Sequence, residues 1–537
     1  MEKLNQTFKI NPLYEADGYK VGHPLMIAPG TTREYWTWIP RSTKYMPGGI
    51  DEIMSAGQQL VVRYIHSAFQ EFFFNQPVEV AHKFTRDVGG YLRQDYNFSG
   101  FEELHKLGYL PIRIKALPEG IFTKPNIPHM SGINTVDGYA WLGLFLETLI
   151  SKLAWQLPTS ATIGNKFKEN AVEWVLKTDK DNIWLADFMC HDFSSRGGNP
   201  FTSIAVGLGH AMSNSGSDTL NVIPASRYYY DFDEEEVPVF SVNASEHSVS
   251  TTKIFTVGEQ QMLSDWMKLF PKGILSVVSD TFDLWKLITE YLPALKDEIL
   301  ARDGKLVIRP DSGDPVDIIC GLNPMFIKNT KNGKFYHTPD DKMIPVFSNE
   351  AKGVIELLWD IFGGTINEQG YKVLDSHIGA IYGDSINLER QIQIYERLAA
   401  KGFAATNVIL GVGSYTYVML TRDSAGYAAK GAWFEVAEEK TDWLPTQSPE
   451  AMEPAQWTEK KGYNIYKDPI TDDGTKKSLK GFQYVGWKPE SGYYVQGEVT
   501  EEMENHDTNM LQTIYENGKF YNQTTLTEIR ERIKQRK

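Results

Sequence analysis

Cysteine is almost missing: two in 537 residues, Cys190 and Cys320. Two thiols cannot build a disulfide framework or a multi-thiolate metal site, and such scarcity suits a reducing compartment. No apolar run reaches membrane-spanning length. The opening MEKLNQTFKINPLYEADGYK has no apolar core between a basic start and a small-residue cleavage site, so a cytoplasmic protein is expected. Positive charge is in deficit. Against 69 Asp and Glu stand 54 Lys and Arg, a net −15, which opposes loose binding to polyanions such as DNA. A small phosphorylated ligand stays possible, because a few local arginines outweigh the global field at contact distance. The eleven histidines contain neither H-x-H nor H-E-x-x-H, which disfavours a catalytic zinc site.

What is present reads as a soluble globular chain, 42% hydrophobic and 23% charged, long enough for two large units or one elaborated α/β unit. The first 160 residues mix short β-type runs, TREYWTWIP and YLPIRIKALPEGIF, with a tract around YAWLGLFLETLISKLAWQL that is apolar nearly all round and reads as a buried helix. Prolines in these β-type runs predict edge positions or interruptions. From about residue 183 to 420 compact apolar runs alternate with helical spacing, the pattern of parallel strands covered on both faces. ILSVVSD (274–280), KLVIRPDSGDP (305–315), IGAIYGDSIN (378–387) and NVILGVGSYT (407–416) each end in carboxylates, glycines or hydroxyls. In a β/α barrel those ends open onto one face, where chemistry is assembled from several strands. VPVFSV (237–242) reads as a further strand, with Glu246 and His247 just beyond it in VNASEHSVST. The expected organisation is an irregular β/α-barrel-like catalytic domain over 183–425. A second, mixed sheet-rich α+β domain would be built from 1–182 and 426–537, with a charged, proline-rich surface insertion at about 434–480. A short helix, TTLTEIRERIKQR, closes the chain.

A face holding Glu246, His247, Asp280, Arg309, Asp311 and Asp384 among glycine turns suits a ligand with phosphates and hydroxyls. Glycine turns bring backbone N–H groups to phosphate, carboxylates hold ribose hydroxyls or Mg²⁺, and arginine supplies a planar fork. Each residue also has an ordinary reading. GLGHAM (207–212) and GVGSYT are weak as glycine motifs, Asp280 and Asp311 could be helix N-caps, Arg309 an ion-pair partner, and a lone histidine is usually structural. Their joint placement carries the argument. A Schiff-base aldolase would want a lysine at a strand end, and none of the four runs ends in one.

The succession HDFSSRG (191–197), SGSDT (215–219), SEHS (245–248), SVVSD (276–280), IRPDSGDP (308–315), YGDSIN (382–387), LTRD (420–423) and YKDP (466–469), with DGYKVGH (17–23), resembles the nicotinamide phosphoribosyltransferases of the barrel-type phosphoribosyltransferase family. The likeness runs from about residue 10 to 530. It implies joining nicotinamide to 5-phosphoribosyl 1-diphosphate, with Mg²⁺ present, to give nicotinamide mononucleotide and diphosphate. It also implies stimulation by ATP as co-substrate and a homodimer with shared active sites. Phe193 and Tyr19, the latter from the neighbouring subunit, match aromatics that sandwich the pyridine. Asp218 matches the acid that accepts the carboxamide N–H, and Ser241, Val242, Ser276 and Arg309 match other positions around the base. Asp311, Gly383 and Asp384 match the ribose and phosphate positions. Arg196, Gly413, Ser414 and Arg422 match the phosphate side, with Arg41 and Lys430 lent across the dimer. His247 matches a histidine phosphorylated by ATP, Glu246 its flanking acid and Asp280 its orienting partner.

Three features depart from the family pattern. Ser414 and Tyr415 replace glycines in the phosphate turn, Ser385 and Asn387 stand where a glycine and an acid are usual, and the 434–480 insertion is long. Two other readings stay open: the nicotinate enzyme, which Asp218 opposes by repelling a carboxylate, and a non-catalytic nucleotide-binding homologue.

Overall fold

The computed structural model describes residues 10–322, 327–329, 335–337, 344–346, 348–383, 385–439, 457–467, 470–471 and 479–536. Two compact units divide the chain. One comprises Met1–Thr162, Pro224–Glu236 and Leu420–Lys537, the other Ile163–Ile223 and Val237–Met419.

The first unit is built on a seven-stranded antiparallel sheet. Its order is Trp457–Asn464, Ala428–Glu439, Thr31–Ile39, Met130–Asn134, Ile112–Ala116, Gln512–Glu516 and Lys519–Phe520. The proline-flanked runs do not lie at its edges. Thr31–Ile39 and Ile112–Ala116 are interior strands, and Pro40, Pro111 and Pro118 fall just outside them, where no ladder donor is lost. The apolar tract forms the helix Ala140–Ala154, buried over most of its surface. Its Trp141 and Phe145 meet Phe101 with ring centroids 5.3 and 5.4 Å apart. No described helix is long and apolar enough to cross a membrane. Part of the expected insertion belongs to the sheet, because residues 434–439 pair with 457–463 in an antiparallel ladder. The stretch 440–456 lies outside the described residues. The closing helix, Leu526–Lys534, starts with a Thr525–Glu528 capping box and buries Leu526 and Ile529.

The second unit carries a seven-stranded sheet in the order Gly216–Ser217, Cys190–Asp192, Val408–Val412, Ile378–Tyr382, Asp303–Arg309, Lys272–Val278 and Asn243–Ala244. Every pairing is parallel. Leu275, Val277, Leu306, Ile308, Ala380 and Leu410 are buried along these strands, as runs covered on both faces require. Helices such as Pro200–Ala211, Glu259–Leu269 and Leu388–Ala400 lie between strands in sequence. VPVFSV is not a strand. Phe240 alone pairs with Gly216, and three residues later Asn243 and Ala244 pair with Leu275 and Ser276. Both edges of the sheet therefore meet on one short segment, and the sheet curls round in the manner of a barrel.

Candidate active site

Parallel strands share a direction, so their C-terminal ends share a face, and in the second unit every such end carries an expected residue. Phe193 and Arg196 follow Cys190–Asp192, Asp218 follows Gly216–Ser217, and Ser241 and Val242 occupy the closing segment. Glu246 and His247 follow Asn243–Ala244, Asp280 follows Lys272–Val278, Asp311 follows Asp303–Arg309, Gly383 follows Ile378–Tyr382, and Gly413 and Ser414 follow Val408–Val412. Asp384 lies outside the described residues. Tyr19, Arg41, Arg422 and Lys430 belong to the first unit.

Neither Asp280 nor Asp311 is a helix N-cap. The caps are Asp283, which accepts from Lys286 N, and Asp314, which accepts from Val316 and Asp317 N. Asp280 instead bridges neighbouring strand ends. Its Oδ1 meets His247 Nε2 at 3.2 Å, while its Oδ2 accepts from Asp311 N at 2.8 Å and Ser312 Oγ at 2.5 Å. The Asp280 side chain is 6% exposed and His247 47%: a fixed carboxylate holds an accessible ring. His247 opens the helix His247–Val257, and the Glu246 carboxylate accepts from Ser248 Oγ.

A second carboxylate is held at the other end of the sheet. Asp218 Oδ1 meets His191 Nε2 at 2.9 Å and accepts from Ser241 Oγ. Burial pushes its carboxyl up, but the bonds from His191 and Ser241, with the charges of His191 and Arg309, outweigh this and hold it below the ordinary carboxylate range. It is an anion at neutral pH. Beside it the Phe193 ring sits 4.7 Å from the His191 ring and presses on Gly411, where an added Cβ would come within 2.5 Å of it. Only glycine lets that ring lie on the strand.

Asp192, fully buried, fixes both turns. Its Oδ1 accepts from Ser194 N at 2.9 Å, its Oδ2 from Thr219 Oγ1 at 2.6 Å and Ser217 Oγ at 3.2 Å, and its carbonyl from Asp218 N at 3.0 Å. Arg309 Nη2 donates to Ser245 O at 2.7 Å. Arg309 Nε and the buried Ser276 Oγ have no hydrogen-bond partner among the described residues, and each is a polar atom suited to a ligand. On the phosphate side, Gly197 touches Ser414 so closely that a Cβ would fall 2.1 Å from the serine Cβ, which brings the Arg196 turn against the Gly413–Ser414 turn. GLGHAM is no phosphate turn, being the end of the helix Pro200–Ala211.

Sequence reasoning passed over His191, Asp192, Ser245 and the buried Ser279, whose Oγ accepts from Arg309 N at 3.2 Å. The histidine and aspartate stood inside the quoted HDFSSRG, and the signal was an acid closing a buried strand. Ser385 departs from glycine in type but not in shape, since its φ is +54°.

Residues 188–443 match the family model of the nicotinate phosphoribosyltransferase (NAPRTase) family. The chain is 36% identical to the nicotinamide phosphoribosyltransferase of Acinetobacter baylyi, over 98% of each chain. It is 32% identical to that of Mycoplasma pneumoniae, over 71% of this chain and 73% of the relative. Among solved structures, human nicotinic acid phosphoribosyltransferase superposes with a TM-score of 0.52 at 14% identity, over 96% of this chain and 92% of that one. A Pyrococcus furiosus nicotinate-nucleotide pyrophosphorylase gives 0.52 at 15% identity, over 99% and 97%. At such identities these two speak for the fold.

Proposed function

The chain belongs to the nicotinate phosphoribosyltransferase (NAPRTase) family, and on that premise we propose that it transfers phosphoribosyl from 5-phosphoribosyl 1-diphosphate to nicotinamide, forming nicotinamide mononucleotide and diphosphate for NAD salvage. The observation that carries the choice of base is Asp218, an anion oriented by His191 and Ser241 beside the Phe193 ring. A carboxylate accepts from a carboxamide N–H and repels a carboxylate. Phe193 offers a face for the pyridine, and Arg309 Nε and Ser276 Oγ are donors for the amide oxygen.

In the transfer, the bond from ribose C1 to diphosphate breaks with its electron pair leaving on the diphosphate. The pyridine nitrogen lone pair then forms the new bond to C1. No proton need move, so the site works by positioning and by stabilising the departing charge. Asp311 and Gly383 face the ribose in this reading, and Arg196, Gly413 and Ser414 the phosphates. A hard cation fits the donors. Both oxygens of Asp280 are engaged, whereas the Asp311 carboxylate has no hydrogen-bond donor among the described residues. Asp311 and diphosphate oxygens would hold Mg²⁺, which when bound offsets the leaving group's charge. No cluster of three or more metal-ligating side chains occurs among the described residues.

His247 is the assigned acceptor of the ATP γ-phosphoryl group. With Nε2–H donating to Asp280, the Nδ1 lone pair attacks phosphorus and ADP departs. Tyr19, Arg41 and Lys430 are assigned to the active site of a partner in a cytoplasmic homodimer. Comparing kcat/KM for nicotinamide and nicotinate tests the reading, and a preference for nicotinate would overturn it.

A further inference from the structure

The helix Ala140–Ala154 grips the turn that carries Tyr19 at two successive residues. Thr148 Oγ1 donates to Asp17 Oδ2 at 2.7 Å and accepts from Asp17 N at 3.2 Å. Next to it the Glu147 carboxylate takes the ammonium of Lys20, which is 2% exposed. Asp17 immediately precedes the 3₁₀ turn Gly18–Gly22 and Lys20 lies within it, and Tyr19 stands out from it, 64% exposed, with the Lys20 ammonium 5.4 Å from its ring centroid. The other Glu147 oxygen lies 3.9 Å from Lys430 Nζ. Near them Glu34 is buried, with Oε2 unpartnered among the described residues.

We infer that Glu147 is a positioning residue for the transfer, tying the turn that presents Tyr19 to the Lys430 ammonium through one carboxylate. An exposed ring on a five-residue turn has many orientations to lose on stacking against a base. A turn clamped by Asp17–Thr148 and Lys20–Glu147 has lost most of them before the ligand arrives. The same carboxylate faces the half-exposed Lys430 ammonium at ion-pair distance, so the base and phosphate contacts of this unit share one charged neighbour. The inference rests on the proposed roles of Tyr19 and Lys430.

The sign of the electrostatics makes the role testable. Glu147→Gln removes a negative charge beside two ammonium groups, so anion binding should hold or tighten while the aromatic contact loosens. In the full-length enzyme, KM for nicotinamide should rise about tenfold, the worth of one aromatic contact. Calorimetric affinity for inorganic diphosphate should stay within about twofold or improve. Glu147→Asp, which keeps the charge on a shorter arm, should lie between the two. Lys20→Met/Glu147→Leu removes both charges together, avoids stranding a buried ammonium, and should show the same raised KM in a folded protein. An unchanged nicotinamide KM in the folded variants overturns the inference, as does an equal loss of both ligands. A wild-type enzyme without transfer activity would sink the proposed function instead. Calorimetry with nicotinamide and diphosphate then reads the clamp by itself, with the same outcomes deciding.

Discussion

Replacing Asp218 by Asn keeps the outline of the side chain and removes its charge, which isolates the term that separates an amide substrate from an acid one. Two unit charges about 4 Å apart repel by about 4 kcal/mol at an effective dielectric of about 20, and by about 1 kcal/mol in bulk water. The Asp218 side chain is 42% exposed, so the site falls between these limits. At an effective dielectric of about 40 the repulsion is about 2 kcal/mol, or roughly thirtyfold in the ratio of specificity constants. Asn also weakens the bond to His191 and will lower kcat/KM for nicotinamide itself. The ratio of nicotinamide to nicotinate kcat/KM, measured for both proteins under one buffer and salt, removes that shared loss. A fall of about thirtyfold is expected, with fivefold as the least that the charge argument allows. A ratio that stays put, or moves further towards nicotinamide, refutes the role of Asp218 in choosing the base.

His247→Ala should abolish the acceleration by ATP and leave basal transfer, read from initial rates with and without ATP; acceleration equal to that of wild type would remove the phosphohistidine. Ser385→Gly should raise stability by about 1 kcal/mol, because Ser385 holds a left-handed φ of +54° that costs a side-chain-bearing residue about that much; denaturant midpoints at constant m-value measure it. Burial, acting against the nearby Lys20 charge and with that of Glu147, pushes the Glu34 carboxyl from 4.5 up to about 8. The folded chain then keeps a proton that the unfolded chain loses, so stability from this group is full below pH 4.5 and is lost as pH rises to 8. That loss is about 1.4 kcal/mol per pH unit. Glu34→Gln should therefore gain on wild type by about 3 kcal/mol between pH 6 and pH 9, and parallel stability curves would contradict it.

The parts of the site visible in the sequence are those where local order carries the signal. A buried parallel strand must be apolar throughout, so an aspartate or glycine at its end stands out, and Asp280, Arg309, Asp311, Gly383 and Gly413 were legible for that reason. The closing segment was misread because β-branched residues at 237–242 look like a strand whether or not a neighbour exists to pair with them. Which of two aspartates three residues apart caps a helix was equally hidden, since Asp283 and Asp314 take that place by N-cap geometry and leave Asp280 for its bridging bonds.

The amino-acid order alone decided the alternation of strand and helix in the second unit, the common side on which its polar ends gather, and the family. Each follows from short-range burial and turn chemistry. Only the folded chain decided that His191 would hold Asp218, 27 residues away, that Asp192 would tie two turns, and that Asp280 would reach His247 and Asp311 together. Those contacts depend on which strands lie side by side, and 190–192 sits between 216–217 and 408–412. Strand adjacency is settled by packing the whole sheet at once, which no stretch of sequence encodes by itself.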